Sequence, residues 1–227
     1  MSISSGITRE LVSLLSIPND RVFTVFNPVP FPSYIERVGR PKGGRTTFLF
    51  MGRLADQKDP FFLLKTVRRL KGNWQLHIVG DGPLREQIKE LINIYGLEGR
   101  VLLHGWKSDP WIYVQELRGI TALILTSKNE GFPMVLLESM AHGVYCISSD
   151  CETGPEDIIT GDNGELFEVS NADDLLKRMQ IIVDTSGSLL PNQDRICKSI
   201  SGFSTESYCD NFLSSIKKAK KVFNTSE

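Results

Sequence analysis

The chain has 227 residues and a formal net charge of −1 at neutral pH. This length is sufficient for a domain with a substantial buried core, and the balance of charge gives no reason to expect nucleic acid or an anionic membrane as the main partner. No apolar run approaches the roughly 20 residues of a membrane-spanning helix, and the first residues do not resemble a signal peptide. The cysteines lack C-x-x-C spacing, which favours reduced thiols over a disulfide framework. The sequence therefore predicts a soluble, cytoplasmic protein.

The first forty-odd residues do not follow a regular alternation of strands and helices. Their pattern predicts a helix over residues 4–15 and a strand over 21–26. Residues 27–32 contain three prolines, and residues 40–45 combine a proline with paired glycines, as is typical of extended connectors. This segment is either a connector to something that precedes it or an extension that packs on the sheet.

From residue 46 onward, short apolar runs alternate with segments of helical spacing. The pattern predicts strands over 47–51, 75–79, 101–104, 120–126, 145–148 and 164–168, and helices over 60–70, 84–95, 111–117, 133–142, 172–183 and 204–222. This alternation predicts the α/β class, with a Rossmann-like, doubly wound parallel sheet and helices on both faces. In a sheet of order 3-2-1-4-5-6, ligands bind at the carboxyl ends of the strands, where the order reverses.

The segment from Glu130 to Glu138 is the most informative part of the sequence. Its two carboxylates lie eight positions apart, and a Gly-Phe-Pro tripeptide separates the first from an apolar helical run. Pro133 suits the first position of a helix, and Gly143 would end that helix. Glu130 is therefore expected on a loop after the strand at 120–126, and Glu138 about a turn and a half into the helix. An acid within a mostly apolar helix needs a partner, which favours a site over two solvated surface groups.

Two basic residues are expected at the same carboxyl-terminal edge of the sheet. Arg53 and Lys58 lie on the loop after strand 47–51. Because the first and fourth strands are neighbours in the predicted order, this loop should lie beside Glu130. Arginine, lysine and a helix amino terminus all bind phosphate, and Gly131 would let backbone approach a ligand closely. The arrangement predicts a phosphate-bearing ligand in preference to solvated surface charges.

Four segments in fixed order resemble a known family. They are Gly52-Arg-Leu with Gln57-Lys58, Val79-Gly-Asp-Gly-Pro83, Glu130-Gly-Phe-Pro with Glu138-Ser-Met-Ala-His-Gly143, and Gly161-Asp-Asn-Gly-Glu-Leu166. Together they resemble the donor-binding, carboxyl-terminal half of the "glycosyl transferases group 1" family, which are retaining enzymes of GT-B fold. Residues 146–155 are similar to the subgroup that transfers galactose, N-acetylgalactosamine or related hexoses onto lipid-linked glycans in lipopolysaccharide, O-antigen and capsule synthesis.

The resemblance implies a role for each matching side chain. Arg53 and Lys58 would bind the donor diphosphate and stabilise the charge of the leaving group. Glu138 would accept both ribose hydroxyls, and Glu130 would lie near the donor sugar. The implied catalytic residues are Arg53, Lys58 and Glu130. The implied donor-binding residues are Gly52, Arg53, Lys58, Trp106, Lys107, Glu130, Gly131, Phe132, Met134 and Glu138.

Backbone groups would complete this site. The resemblance implies that N–H groups of Gly131, Phe132 and Met134 touch sugar and phosphate. It also implies that the loop at Trp106 and Lys107 meets the nucleobase, through backbone. For the Trp106 side chain, core packing is an equal alternative.

No cofactor or metal is implied, because the family is largely metal-independent and the donor, a UDP-hexose, is a substrate. The three histidines, His77, His104 and His142, have no partner acids at ligand spacing and are interpreted as structural.

The resemblance further predicts an amino-terminal acceptor domain that is absent here. Residues 1–45 are interpreted as the interdomain connector with a remnant of that domain, and residues 46–227 as the nucleotide-sugar (donor) binding domain. A glycan or lipid-linked acceptor would bind through the missing domain. Since the cleft between the domains aligns acceptor with donor and excludes water, the chain alone is expected to bind donor weakly and to be inactive.

Several alternatives accompany this interpretation. A stand-alone nucleotide-sugar-binding subunit of a split glycosyltransferase would show the same connector. A non-hydrolysing epimerase of the same fold is disfavoured by the E-x7-E motif with Gly-Phe-Pro, and an NAD-dependent enzyme by the missing G-x-G-x-x-G. The lysine cluster at 217–221 is interpreted as a solvated helix end; the alternative is a peripheral contact with anionic lipid at the inner face of the cell membrane.

Overall fold

The computed structural model describes residues 1–29, 36–41, 44–117 and 119–224. The strands are β1 Thr46–Met51, β2 Trp74–Val79, β3 Val101–Gly105, β4 Ala122–Leu125, β5 Tyr145–Ser149 and β6 Gly164–Phe167. The helices are α1 Ser5–Leu14, α2 Pro60–Val67, α3 Arg85–Ile94, α4 Pro110–Gln115, α5 Met134–Ala141, α6 Pro155–Ile158, α7 Ala172–Asp184, α8 Gln193–Ser199 and α9 Thr205–Asn224. Single 3-10 turns occur at Asn19–Arg21, Asp56–Lys58 and Ser201–Phe203.

The six strands form one parallel sheet of order β3-β2-β1-β4-β5-β6. This confirms the predicted α/β, doubly wound, Rossmann-like class. The central strands β1, β4 and β5 are buried along their whole length, because helices cover both faces and leave no solvated side to favour polar residues.

The carboxyl ends of β1 and β4 separate from each other. β1 pairs with β2 along all six of its residues, but it pairs with β4 only at Phe48–Ala122 and Leu49–Leu123. Beyond these pairs the loops are joined by single contacts, such as Thr126 Oγ1 donating to the Lys58 carbonyl at 2.8 Å. The divergence opens a crevice above the sheet.

The loops after β1 and β2 approach so closely that only glycine fits between them. Gly80 has φ +138°, and a Cβ there would lie 1.9 Å from the Gly52 carbonyl oxygen. A Cβ at Gly82 would lie 2.4 Å from the carbonyl oxygen of Leu54. Backbone hydrogen bonds from Gly52 N to Val79 O, 3.0 Å, and from Leu54 N to Asp81 O, 2.9 Å, continue the pairing past the strands. The glycines therefore give the crevice a floor of closely spaced backbone.

Some predicted elements differ from the structure. Residues 21–26 form no strand; Thr24 makes one isolated bridge to Ser2, because this apolar run packs on the domain outside the sheet. The strand predicted over 120–126 is limited to β4. Pro133 occupies the N-cap position of α5 and not its first helical position, so the helix begins one residue later than predicted. Helices α6 and α8 were not predicted, since they span only four and seven residues and show little apolar periodicity.

The described residues before β1 pack against the carboxyl-terminal half of the sheet. Ser5 N donates to Asp157 Oδ2 at 2.8 Å, and Val29 N to Phe203 O at 2.9 Å. Ile120 N donates to Gly39 O at 2.9 Å. Of the predicted connectors, residues 30–32 and 42–43 lie outside the described residues. The boundary between 45 and 46 stays a prediction.

The helix α9 carries the lysine cluster on its exposed surface. Within the described ranges, no helix has both the length and the apolar character needed to cross a bilayer. The four cysteines are free thiols; Cys146 and Cys151 are buried, and burial raises the pKa of both.

Two of the histidines form a polar chain across the β2–β3 edge of the sheet. His77 Nδ1 lies 2.8 Å from His104 Nε2, and His104 Nδ1 lies 2.7 Å from the hydroxyl of Tyr113. Burial, followed by the nearby His104 and Arg45, lowers the pKa of His77 to about 4, and burial also lowers the pKa of His104. The fold therefore holds the pair uncharged at neutral pH, in keeping with a structural role.

Replacing His77 with Gln should weaken the pH dependence of stability. In the unfolded chain His77 binds a proton as the pH falls below its ordinary pKa of 6.5. In the folded chain it remains neutral until the pH reaches about 4. Stability that is fully present above pH 6.5 is thus lost as the pH falls through this window, by at most about 3 kcal/mol. Urea unfolding of wild type and His77→Gln across the window measures the difference. If the free energy of unfolding changes with pH by the same amount in both proteins, the prediction is contradicted.

Candidate functional site

The candidate site is a crevice at the carboxyl ends of β1, β2 and β4. Two cavities, of about 470 and 390 Å³, adjoin at Met51 and Gly52. The first, here called the β2-side cavity, is lined by Met51, Gly52, Arg53, Val79, Gly80, Asp81, Trp106, Lys107 and Pro110. The second, here called the β4-side cavity, is lined by Met51, Gly52, Lys58, Glu130, Phe132, Pro133, Met134, Val135 and Glu138.

Nine of the ten residues predicted for donor binding line one of these two cavities. The exception is Gly131, which lies outside both; a Cβ there would point toward Ile3, 3.7 Å away, and Ile7. Trp106 is 71% exposed, so the alternative of core packing for this side chain is wrong.

A nearly buried ion pair lies at the floor of the β4-side cavity. Lys58 Nζ is 2.5 Å from Glu130 Oε1, and the Ser127 hydroxyl donates to the same oxygen at 2.6 Å. The side chains of Lys58 and Glu130 are only 18% and 8% exposed. The Glu130 carbonyl also accepts a hydrogen bond from the Thr153 hydroxyl. A carboxylate so far from water requires such partners, and the ammonium keeps two further N–H donors for a ligand.

The loop conformation that positions Lys58 follows from its sequence. Asp56–Lys58 forms a 3-10 turn, and Asp59 then adopts φ +44° and caps α2 by accepting from Phe62 N at 3.1 Å. Pro60, with no N–H to lose, occupies the first helical position. This turn directs Lys58 back toward the Glu130 loop.

Arg53 lies at the rim of the β2-side cavity and is exposed. Among the residues that the structure describes, no ion-pair or hydrogen-bond partner of its guanidinium is present. Its five N–H donors are thus available to an anion that spans the two cavities.

The first turn of α5 adds neutral donors to the β4-side cavity. The helix begins at Met134, and within the described residues the N–H groups of Met134 and Val135 have no backbone acceptor. Both residues line the cavity. Unpaired N–H groups at a helix amino terminus favour an anionic ligand.

Glu138 lies on α5, as predicted; it is half-buried, and its partner is a tryptophan. Trp111 Nε1 donates to Glu138 Oε2 at 3.1 Å. Trp111 lies in the first turn of α4, which Asp109 caps by accepting from Ile112 N at 3.0 Å. Trp111 is not among the residues predicted for this site. The available signal was the Asp-Pro pair after β3, which starts a helix at the same edge of the sheet.

In the described part of the chain, His, Cys, Asp and Glu side chains form no group of three or more that could hold a metal ion. The cations at the crevice are Arg53, Lys58 and Lys107, and the Lys107 ammonium lies 4.2 Å from the centroid of the Tyr113 ring. The crevice thus combines cations, helix N–H donors and a carboxylate, which can bind a ligand that carries both phosphate and hydroxyl groups.

The sheet order and the position of the crevice define a Rossmann-like domain with a site at its topological switch point. The family model for glycosyl transferases group 1 matches residues 34–198, most of the chain. This chain belongs to the glycosyl transferases group 1 family.

The chain is similar to curated lipopolysaccharide 1,6-galactosyltransferases. It is 39% identical to that of Salmonella typhimurium LT2 over 221 residues, which are 95% of this chain and 60% of the relative. It is 34% identical to that of Escherichia coli K12 over 215 residues, which are 92% of this chain and 58% of the relative. The chain thus spans about 60% of the length of these relatives.

Solved structures share its fold. The apo form of the lipopolysaccharide outer core galactosyltransferase WaaB superposes with a TM-score of 0.88 at 39% identity, covering 95% of this chain and 60% of that chain. Staphylococcus aureus TarM, in a complex that contains UDP, superposes with a TM-score of 0.81 at 20% identity, covering 94% of this chain and 43% of that chain. The fold is therefore that of GT-B neighbours.

Proposed function

We propose that this chain is the donor-binding part of a retaining hexosyltransferase. It would transfer a hexose from a UDP-sugar to a glycan or lipid-linked acceptor in lipopolysaccharide or related cell-surface polysaccharide synthesis. The observation that carries the proposal is the shared cavity of Lys58, Glu130 and Glu138 at the carboxyl ends of β1 and β4. Its support is the 39% identity to a lipopolysaccharide 1,6-galactosyltransferase.

The donor would lie across the two cavities. The nucleobase would occupy the β2-side cavity beside the Trp106–Lys107 loop, and the ribose would bind Glu138. The diphosphate would lie over Gly52, where the cavities adjoin, between Arg53 and Lys58. The sugar would then extend toward Glu130. This order matches the sequence of groups in a nucleotide sugar.

Catalysis would depend on charge that develops on the diphosphate. When the bond from the anomeric carbon to the phosphate oxygen breaks, the electron pair stays with the diphosphate. Lys58, Arg53 and the N–H groups at the start of α5 would stabilise that negative charge. The Lys58 ammonium is paired with Glu130, which would pre-position it for the diphosphate. Once an acceptor domain is supplied, a proton NMR assay of the anomeric configuration of the product tests retention.

The two glutamates should affect different ligands. Glu138→Ala should weaken UDP and UDP-galactose alike, by roughly 10- to 100-fold, because both contain the ribose and lose hydrogen bonds to a charged group. Glu130→Ala should weaken UDP-galactose but spare UDP, because the proposed partner of Glu130 is the sugar, which UDP lacks. For the diphosphate, release of Lys58 from its ion pair offsets the loss of its pre-orientation. Isothermal titration calorimetry measures the four affinities, with Glu90→Ala, an exposed change on α3, as the control. Equal losses for both ligands in both variants would remove these roles.

We further propose that the 227-residue chain does not transfer sugar by itself. It spans about 60% of the length of its relatives, and transfer requires an acceptor hydroxyl held against the anomeric carbon. It should bind UDP-hexoses with a Kd of roughly micromolar to millimolar. Incubation with UDP-hexoses and lipid-linked acceptors should yield no product until an acceptor domain is supplied. Turnover on the order of 1 per second by the chain alone would contradict this.

A further inference from the structure

Helices α4 and α5 bring an indole N–H against the proposed ribose carboxylate. Trp111 Nε1 lies 3.1 Å from Glu138 Oε2, and both side chains are half-buried. The other carboxylate oxygen, Oε1, has no hydrogen-bond partner among the described residues. Glu138 therefore has one oxygen held by the protein and one available to the β4-side cavity, which it lines.

The indole ring is itself fixed by a stacked histidine. The rings of Trp111 and His142 are 4.4 Å apart between centroids and inclined by 18°. His142 Nδ1 lies 2.8 Å from the carbonyl oxygen of Glu36. Because a carbonyl only accepts, Nδ1 must carry the proton, which fixes the orientation of the imidazole.

The segment that provides this carbonyl is anchored independently. Gln115 Nε2 donates to the same Glu36 oxygen at 3.2 Å, and Val38 N donates to the His142 carbonyl at 3.1 Å. Gln193 Nε2 donates to Val38 O at 2.7 Å. The chain of contacts from residues 36–38 through His142 and Trp111 to Glu138 consequently has a fixed outer end.

A fixed carboxylate binds a diol better than a mobile one. A glutamate side chain has three rotatable bonds, and holding it in one rotamer on binding costs entropy. A donor that holds one oxygen beforehand removes part of this cost and sets the plane in which the other oxygen meets the ligand hydroxyls. The N–H of Trp111 is placed to do this, whereas simple packing of the ring would not require a hydrogen bond to the carboxylate.

We infer that Trp111 is a positioning residue for Glu138: the indole N–H of Trp111 orients the Glu138 carboxylate toward the ribose hydroxyls of the nucleotide. This inference rests on the proposed function, since it concerns the ribose part of the same site. Trp111 itself touches neither the sugar nor the phosphates; it acts through Glu138.

The test is the variant Trp111→Phe, titrated with UDP and with 2′-deoxy-UDP. Phenylalanine keeps an aromatic ring to stack on His142 but removes the N–H donor. The affinity for UDP should fall by about 5- to 30-fold, while the affinity for 2′-deoxy-UDP, which already lacks a hydroxyl for Glu138, should fall less. The preference of Trp111→Phe for UDP over 2′-deoxy-UDP should therefore decrease toward the preference measured for Glu138→Ala. The thermal midpoint of each variant establishes that it is folded.

A second variant keeps the test valid if Trp111→Phe is unstable. His142→Ala removes the stacked ring but leaves the indole N–H, so it should reduce the preference for UDP over 2′-deoxy-UDP in the same direction and by a smaller factor. Trp106→Phe serves as a comparison at another tryptophan of the crevice, and it should change both affinities by the same factor.

The outcomes separate the inference from the proposed function. If Glu138→Ala removes the preference for UDP while a folded Trp111→Phe or His142→Ala keeps it, the inference is overturned and the ribose role of Glu138 stands. Equal losses of UDP and 2′-deoxy-UDP in Trp111→Phe would also overturn it, because they indicate packing alone. If wild type shows no preference and Glu138→Ala binds UDP normally, both the inference and the proposed ribose site fail.

Discussion

The pairing of β1 with β2 on one side and β4 on the other is the constraint on which the crevice depends. It makes the loops after β1 and β4 emerge side by side, one with Arg53 and Lys58 and the other with Glu130. Since the pairing of β1 with β4 ends at Leu49–Leu123, the two loops diverge and are joined by separate contacts. The ion pair between Lys58 and Glu130 is one of these, together with the hydrogen bond from Thr126 to the Lys58 carbonyl and a backbone hydrogen bond from Lys128 N to Gln57 O.

That ion pair is better explained by binding than by stability. Two charges that are 18% and 8% exposed lose much of their hydration, and their mutual attraction repays this only in part. Apolar residues of similar size would hold the loops at lower cost. A ligand phosphate above the pair would gain a pre-oriented ammonium with two spare N–H donors. The unpaired N–H groups of Met134 and Val135 in the same cavity, and the exposed guanidinium of Arg53 in the adjoining cavity, also favour an anion.

The sequence was most informative where local pattern and topology decide the outcome. All six strands followed from apolar runs, and the order expected of a doubly wound sheet, 3-2-1-4-5-6, is the one observed. That order brought Lys58 and Glu130 together. The contact of Trp111 with Glu138 could not be predicted, because it depends on how α4 and α5 are rotated toward each other. Residues 21–26 have the composition of a strand but pack outside the sheet. The exposure of Trp106 likewise depends on the loop after β3.

A crystal structure of this chain soaked with UDP would show whether one nucleotide diphosphate spans both cavities. We expect diphosphate oxygens within hydrogen-bonding distance of Arg53 and Lys58 Nζ, the ribose hydroxyls at Glu138, and the uracil beside Trp106 and Lys107. UDP bound elsewhere would contradict it, for example in the cavity of about 540 Å³ between α3 and β3, with the crevice at β1 and β4 left empty.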